Sequence, residues 1–138
     1  MGWTFKLVHP ETGEILHGDT KHFQNDADVI PDGTTELTFN ITTNYDYVIE
    51  EKLAFESDYS PEDIQPWTLL FIKRDIKFGN TWKTGEETIP ILKEIIGYLS
   101  DDVGDGDYWS AAEGNVKKAL SILLTFATER PDGVWQVS

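Results

Sequence analysis

What most constrains this chain is a change in its hydrophobic period part-way along. Near the N-terminus Trp3, Phe5 and Leu7 alternate with Thr4, Lys6 and Val8, and further on Leu37, Phe39 and Ile41 alternate with Thr38, Asn40 and Thr42. A two-residue period is that of a half-buried strand, and the Thr content favours β. Near the C-terminus the period is helical: Val116, Ala119, Leu120, Leu123, Leu124 and Ala127 fall on one face, with Lys117, Lys118, Ser121, Thr125, Thr128 and Glu129 on another. Ile122 and Phe126 widen that apolar stripe, so this helix is expected to pack on more than one side. Strands first and helices later predict an α+β fold, with an antiparallel sheet from the N-terminal half and helices from the C-terminal half on one face.

Punctuation supports this division. Glu11-Thr12-Gly13-Glu14 reads as a hairpin turn with Ile15 to Gly18 returning, and Pro31-Asp32-Gly33 as a second turn. Tyr47, Ile49, Leu53 and Phe55 suggest a further strand, although Glu50-Glu51-Lys52 leaves that segment ambiguous. Ser60-Pro61-Glu62-Asp63 is a helix start that Pro66 cuts short. Trp67 to Phe78 is apolar enough for helix or strand, and the spacing of Trp67, Leu70, Phe71 and Phe78 leans to helix. Ile89, Leu92, Ile95, Ile96 and Leu99 mark a clearer helix. Thr84 and Glu87 form a possible capping box, but that start would set Pro90 deep in the helix, so Thr88 is preferred as N-cap. Ser110 with Glu113 is read as the capping box of the last helix, which ends at Pro131-Asp132-Gly133. Val134 to Val137 then returns as a short strand.

At 138 residues without repeat, linker or low-complexity tract, the chain is expected to be a single domain, 1–138. It has no cysteine, which excludes disulfides, thiolate metal sites and a Cys nucleophile. Met1 to Lys6 lacks the basic start of a signal peptide and no long apolar run follows, so a cytoplasmic, non-membrane protein is expected. The net charge of −14, from 25 acidic and 11 basic residues, repels phosphate backbones and argues against direct nucleic-acid binding. Such a balance serves solubility, or complements a partner with a basic surface.

Between Asp46 and Asp63 the acids Asp46, Glu50, Glu51, Glu56, Asp58, Glu62 and Asp63 meet a single lysine, making this run the candidate interaction surface. The opposite bias, Lys73, Arg74, Lys77 and Lys83 with Phe78 and Trp82 among them, suits offsetting local acids or holding a small anion better than it suits nucleic acid. His9, His17 and His22 near Glu11, Glu14 and Asp19 match no metal-ligand spacing and read as ordinary loop residues. Asp101, Asp105 and Asp107 would align with a Ca²⁺ loop, but Val103 and Ala112 stand where ligands are required. No metal or other cofactor is therefore implied. Catalytic signatures are also missing: no phosphate-binding glycine loop, no GxSxG.

Thr43-Asn44-Tyr45, Tyr108-Trp109, Glu113-Gly114-Asn115 and Pro131-Asp132-Gly133-Val134-Trp135 together resemble small uncharacterised proteins of bacterial and phage genomes. The resemblance covers about a third of the chain and carries no activity with it. Gly114 in a first helical turn is costly by about 1 kcal/mol against Ala, which suggests close backbone approach by another element or by a ligand. A small-molecule site, if one forms, is expected where Asn44, Tyr45, Trp109 and Asn115 converge. The leading expectation is a non-enzymatic binding protein of immunity-protein or phage-inhibitor style. A small-molecule-binding domain or enzyme with an aromatic pocket near Trp109, and a metal-dependent protein, stand as alternatives.

Overall fold

A computed structural model of the chain describes residues 2–18, 36–73, 77, 79–102 and 111–138. Its fold is α+β. Strand β1 (Gly2–Val8) lies at the centre of a three-stranded antiparallel sheet, flanked by β2 (Thr38–Thr42) and β5 (Val134–Val137). The register sets Trp3 opposite Ile41, Phe5 opposite Phe39 and Val137, and Leu7 opposite Trp135, so the alternating apolar residues share one face. Thr4, Lys6, Thr38, Asn40 and Gln136 share the other, where Asn40 donates to the Thr4 hydroxyl at 3.1 Å. A period of two makes this sorting unavoidable once the register is fixed.

The turn expected at residues 11–14 is present. His9 donates to the Glu14 carbonyl at 2.8 Å, Gly13 has φ 75°, and Ile15 returns to bridge Val8. Pro31-Asp32-Gly33 lies outside the described residues. Two short antiparallel strands, β3 (Ile72–Lys73) and β4 (Thr81–Trp82), join the main sheet through Lys83, whose N–H donates to Phe71 and whose carbonyl accepts from Trp135.

Helices α3 (Gly85–Tyr98) and α4 (Glu113–Glu129) pack against each other, and α4 also contacts β1. Of the residues its period marks, Val116, Ala119, Leu120, Leu123 and Ala127 are buried and Leu124 is half-buried, and Ile122 and Phe126 are buried as well, so the widened stripe is packed. Three local expectations are corrected. The segment read as a further strand is helix α1 (Asp46–Glu56). Helix α3 starts from Thr84, not Thr88. The Thr84 hydroxyl accepts from Glu87 N–H at 3.2 Å, the Glu87 carboxylate accepts from Thr84 N–H at 3.0 Å, and Pro90 stands inside the helix. Pro90 deprives only the carbonyl of Glu86 of a helical donor, and Glu86 is exposed to water, so the reciprocal cap outweighs the proline. At α4 the N-cap is Ala112 and the Glu113 carboxylate makes no box. It reaches outward to Ser100 N–H at 2.9 Å, while Ser110 is not among the described residues.

The apolar run from Trp67 divides. Trp67–Phe71 is a 3₁₀ helix, entered through a cis Gln65–Pro66 peptide, and Ile72 then begins β3. Single-turn helix α2 (Pro61–Ile64) precedes it, with Pro61 in the first turn as expected. The 3₁₀ turn drops Trp67 and Phe71 onto the apolar face of the sheet. Phe5 stacks on Trp67 with centroids 5.4 Å apart and meets Phe71 at 5.1 Å, and Phe71 stands edge-on to Trp135 at 5.2 Å. Offset and edge-on pairs of this kind each add about 0.5–1.5 kcal/mol beyond the area they bury. Both buried indoles need a hydrogen-bond acceptor. Trp135 finds the Thr88 hydroxyl at 2.7 Å, and that hydroxyl donates onward to the Gly85 carbonyl at 2.8 Å.

Candidate functional site: the outer face of helix α1

The other buried indole organises the candidate surface. Trp67, with no exposed area, donates to Asp46 Oδ1 at 2.8 Å, and Trp3 donates to both oxygens of the same carboxylate at 3.0 and 3.1 Å. One turn further along α1, Glu50 accepts the backbone N–H of Trp67 at 3.1 Å. Asp46 and Glu50 are thus four residues apart on the inward side of the helix, where they satisfy donors of their own chain. Burial is the largest influence on Glu50 and pushes its carboxyl above the ordinary range. The Trp67 N–H opposes that rise, and the neighbouring Asp46 charge adds to it.

The anchoring decides which side of α1 faces water. Val48, Ile49 and Leu53 turn into the core, leaving Tyr47 61% exposed and Phe55 78% exposed. These are the large hydrophobic side chains that stand exposed among the described residues. With Glu51 midway they form a row at four-residue spacing along the outer face. Beside the row runs a groove of about 360 Å³, lined by Val48, Lys52, Glu56, Ala111 and Glu113 together with the row itself. Lys52 is paired with Glu113 at 3.2 Å, which cancels the positive charge at the groove's edge. The Ser100 N–H, and secondarily Lys52, hold the Glu113 carboxyl below its usual range.

The acidic run extends past the end of α1. Glu51, Glu56, Asp58 and Glu62 are exposed, and Asp63 is half-buried, accepting from the Ser60 hydroxyl at 2.8 Å. Helix α3 adds Glu94, which lines a shallow concavity with Asp58 and Tyr59 and accepts the Tyr98 hydroxyl at 2.7 Å. That hydrogen bond, foremost, pushes the Tyr98 phenol up to about 12, and the charge of Glu56 contributes. Burial, with Glu94 nearby, also raises Tyr59. Sequence reasoning missed Glu94, Tyr98 and the exposed pair Tyr47 and Phe55. The signal for the pair was present as two aromatics eight residues apart in a segment read as strand.

The four residues expected to converge on a small molecule are placed differently from one another. Asn44 is exposed on the 3₁₀ turn Thr43–Tyr45, while Tyr45 and Asn115 are buried. Trp109 lies outside the described residues. Gly114 is the close approach its position suggested, and the approaching element is backbone. It donates to the Asp102 carbonyl at 2.6 Å, and a Cβ there would lie 2.6 Å from the Asp101 carbonyl oxygen.

The other clusters carry less. His9 Nδ1 accepts from Glu11 N–H at 3.1 Å within its own turn, His17 is exposed, and His22 and Asp19 are not described. Asp101 pairs with Lys117 at 3.0 Å, while Asp105 and Asp107 fall outside the described residues. No group of three potential metal ligands forms among the described residues. No described helix is long and apolar enough to cross a membrane. Of the basic group, Lys73 pairs with Glu87 at 2.7 Å, and Arg74 and Phe78 are not described.

No family model, no curated protein and no solved structure matches the chain.

Proposed function

We propose that this protein is a non-enzymatic interaction module that grips a basic, apolar-tipped segment of another protein on the outer face of α1. The observation that carries this reading is the juxtaposition on one helix face. Tyr47 and Phe55 stand in water beside Glu51 and Glu56, with a groove alongside. Exposed aromatics flanked by charge are the composition of an interface core and its rim, in which the aromatics supply affinity and the charges steer and orient. The net charge of −14 extends the same complementarity over the whole molecule. An immunity or inhibitor role in the cytoplasm is the form of this reading that the acidic charge favours.

The test is capture on the immobilised chain, from about 0.05 to 0.5 M salt, with the double variant Tyr47→Ala, Phe55→Ala in parallel. A partner held by the wild type, released as salt rises and lost by the double variant supports the reading. A partner held equally by both proteins, or bound without regard to salt, refutes it.

A further inference from the structure

A second groove, of about 410 Å³, has Leu69, Leu70 and Ile72 for its apolar wall and Tyr59, Asp63, Lys73 and Lys83 for its polar groups. Lys83 is half-buried on a backbone fixed from both sides, its N–H at 2.8 Å from the Phe71 carbonyl and its own carbonyl accepting from Trp135 at 3.0 Å. The carboxylate that acts on it, Glu87, is already engaged at both oxygens. One accepts Thr84 N–H at 3.0 Å in the helix cap, and the other pairs with Lys73 at 2.7 Å. Lys83 itself forms no ion pair among the described residues, and the Lys73 ammonium repels its charged form.

We propose that Lys83 is a nucleophilic amine that condenses reversibly with small aldehydes carrying an apolar tail. The free Nζ attacks the carbonyl carbon to form a C–N bond, and the carbonyl oxygen takes up a proton to give a carbinolamine. That oxygen then leaves as water, giving an imine; no oxidant or reductant is needed. Leu69, Leu70 and Ile72 receive the tail. Two titratable neighbours, Glu87 and Lys73, act on the amine's charge, and Asp63 and Tyr59 line the same groove. Burial, first, and Lys73 disfavour the ammonium, and Glu87 favours it without overcoming them. Their balance lowers the Lys83 proton affinity below that of an ordinary lysine. Tyr59, raised by burial, stays neutral near pH 8.

Reductive trapping tests this on the intact chain. Acetaldehyde or hexanal is added at limiting concentration near pH 8 with cyanoborohydride, and each of the nine lysines is quantified by peptide mass spectrometry. Labelling is normalised to the urea-unfolded chain. With acetaldehyde, Lys83 is expected to be labelled ahead of exposed Lys93 and Lys118, because its lowered proton affinity leaves more of the amine free at this pH. Hexanal should raise that preference about twofold more, through partial burial of its tail. In Lys73→Gln, Glu87 is released to pair with Lys83 and the repelling charge is gone, so the preference should fall towards one. A wild-type ratio near one, no gain with hexanal, or an undiminished ratio in Lys73→Gln overturns the proposal.

Discussion

Replacing Asp46 with alanine removes the acceptor of two indoles at once, and the geometry fixes how much each loss costs. Trp67 is fully buried, so its N–H, now 2.8 Å from Oδ1, has no water to turn to. An orphaned buried donor that had a charged acceptor costs about 1–3 kcal/mol. Trp3 is only partly buried, and water can replace its bonds of 3.0 and 3.1 Å, so its loss adds roughly 0.5–1 kcal/mol. Asp46 is also the first residue of α1, where a negative charge is worth about 0.3–1 kcal/mol against the helix dipole. The sum is about 2–5 kcal/mol, or roughly 6–20 °C in Tm for a domain of this size. Asp46→Asn keeps an oxygen at the Oδ1 position, where both indoles already converge, but loses the charge and sets an NH₂ donor where Oδ2 accepts from Trp3, which water can serve instead. Its expected cost is about 1 kcal/mol. Urea unfolding followed by far-ultraviolet circular dichroism measures both variants without relying on the indoles as probes. A double-mutant cycle with Trp67→Phe isolates the pair, because the cavity left by the smaller ring cancels, and the expected coupling is about 1–2 kcal/mol. Asp46→Ala within about 0.5 kcal/mol of wild type, or a coupling below about 0.3 kcal/mol, refutes the assignment of Asp46 as an inward structural acceptor.

Gly114→Ala should destabilise by about 2 kcal/mol or more despite a gain of about 1 in helix propensity, since the new Cβ meets the Asp101 and Asp102 carbonyls at 2.6 and 2.7 Å; a variant as stable as wild type in urea refutes the close approach. Thr88→Val leaves the buried Trp135 indole without its 2.7 Å acceptor and should cost about 1–3 kcal/mol by the same assay. The folded-state pKa of Glu50 is raised, so its contribution to stability is lost as pH climbs from the ordinary carboxylate range through the raised value. Glu50→Gln, still able to accept Trp67 N–H, should therefore lose less stability than wild type between pH 4 and 7, and an equal loss refutes this. Glu87 and Glu113 have the opposite sign, lowered foremost by Lys73 and by Ser100 N–H respectively. Their contribution is full above the unfolded value and disappears as pH falls through the folded one, so Glu87→Gln should flatten the acid limb of the stability curve.

The elements legible in the sequence were those with one buried face. β1 and β2 alternate because only one side of the sheet is packed, and α4 repeats at helical spacing because its polar row faces water. What escaped was set by distant partners. The Thr84 cap was set aside because of Pro90, yet the start it gives α3 also brings the Thr88 hydroxyl to Trp135 and the Glu87 carboxylate to Lys73. Glu113 was read as a capping acid because its spacing from Ser110 is right, but its carboxylate serves Ser100 and Lys52. Spacing predicts reach along the chain and is silent about donors that arrive from elsewhere in the fold.

Helix α1 is the most informative miss, because what hid it is what marks it as a surface. A helix with one buried stripe shows its period, but here Tyr47 and Phe55 place apolar bulk on the outer face while Asp46 and Glu50 place charge on the inner one. Both departures blur the helical pattern, and they have different causes. The inward acids answer buried donors on Trp67, an internal need that the fold satisfies. The outward aromatics answer nothing among the described residues, and water is a poor neighbour for both. A pattern broken from inside is explained by the core, whereas a pattern broken from outside is what the proposed docking face would show. On the proposed reading, Asp46 and Glu50 serve stability while Tyr47, Glu51, Phe55 and Glu56 serve binding. Asp46→Ala and the Tyr47→Ala, Phe55→Ala pair should therefore move opposite observables: the first lowers stability, while the second leaves it within about 0.5 kcal/mol and removes the partner. A double variant that unfolds as readily as Asp46→Ala would mean that the aromatics belong to the core, and α1 would then offer no docking face.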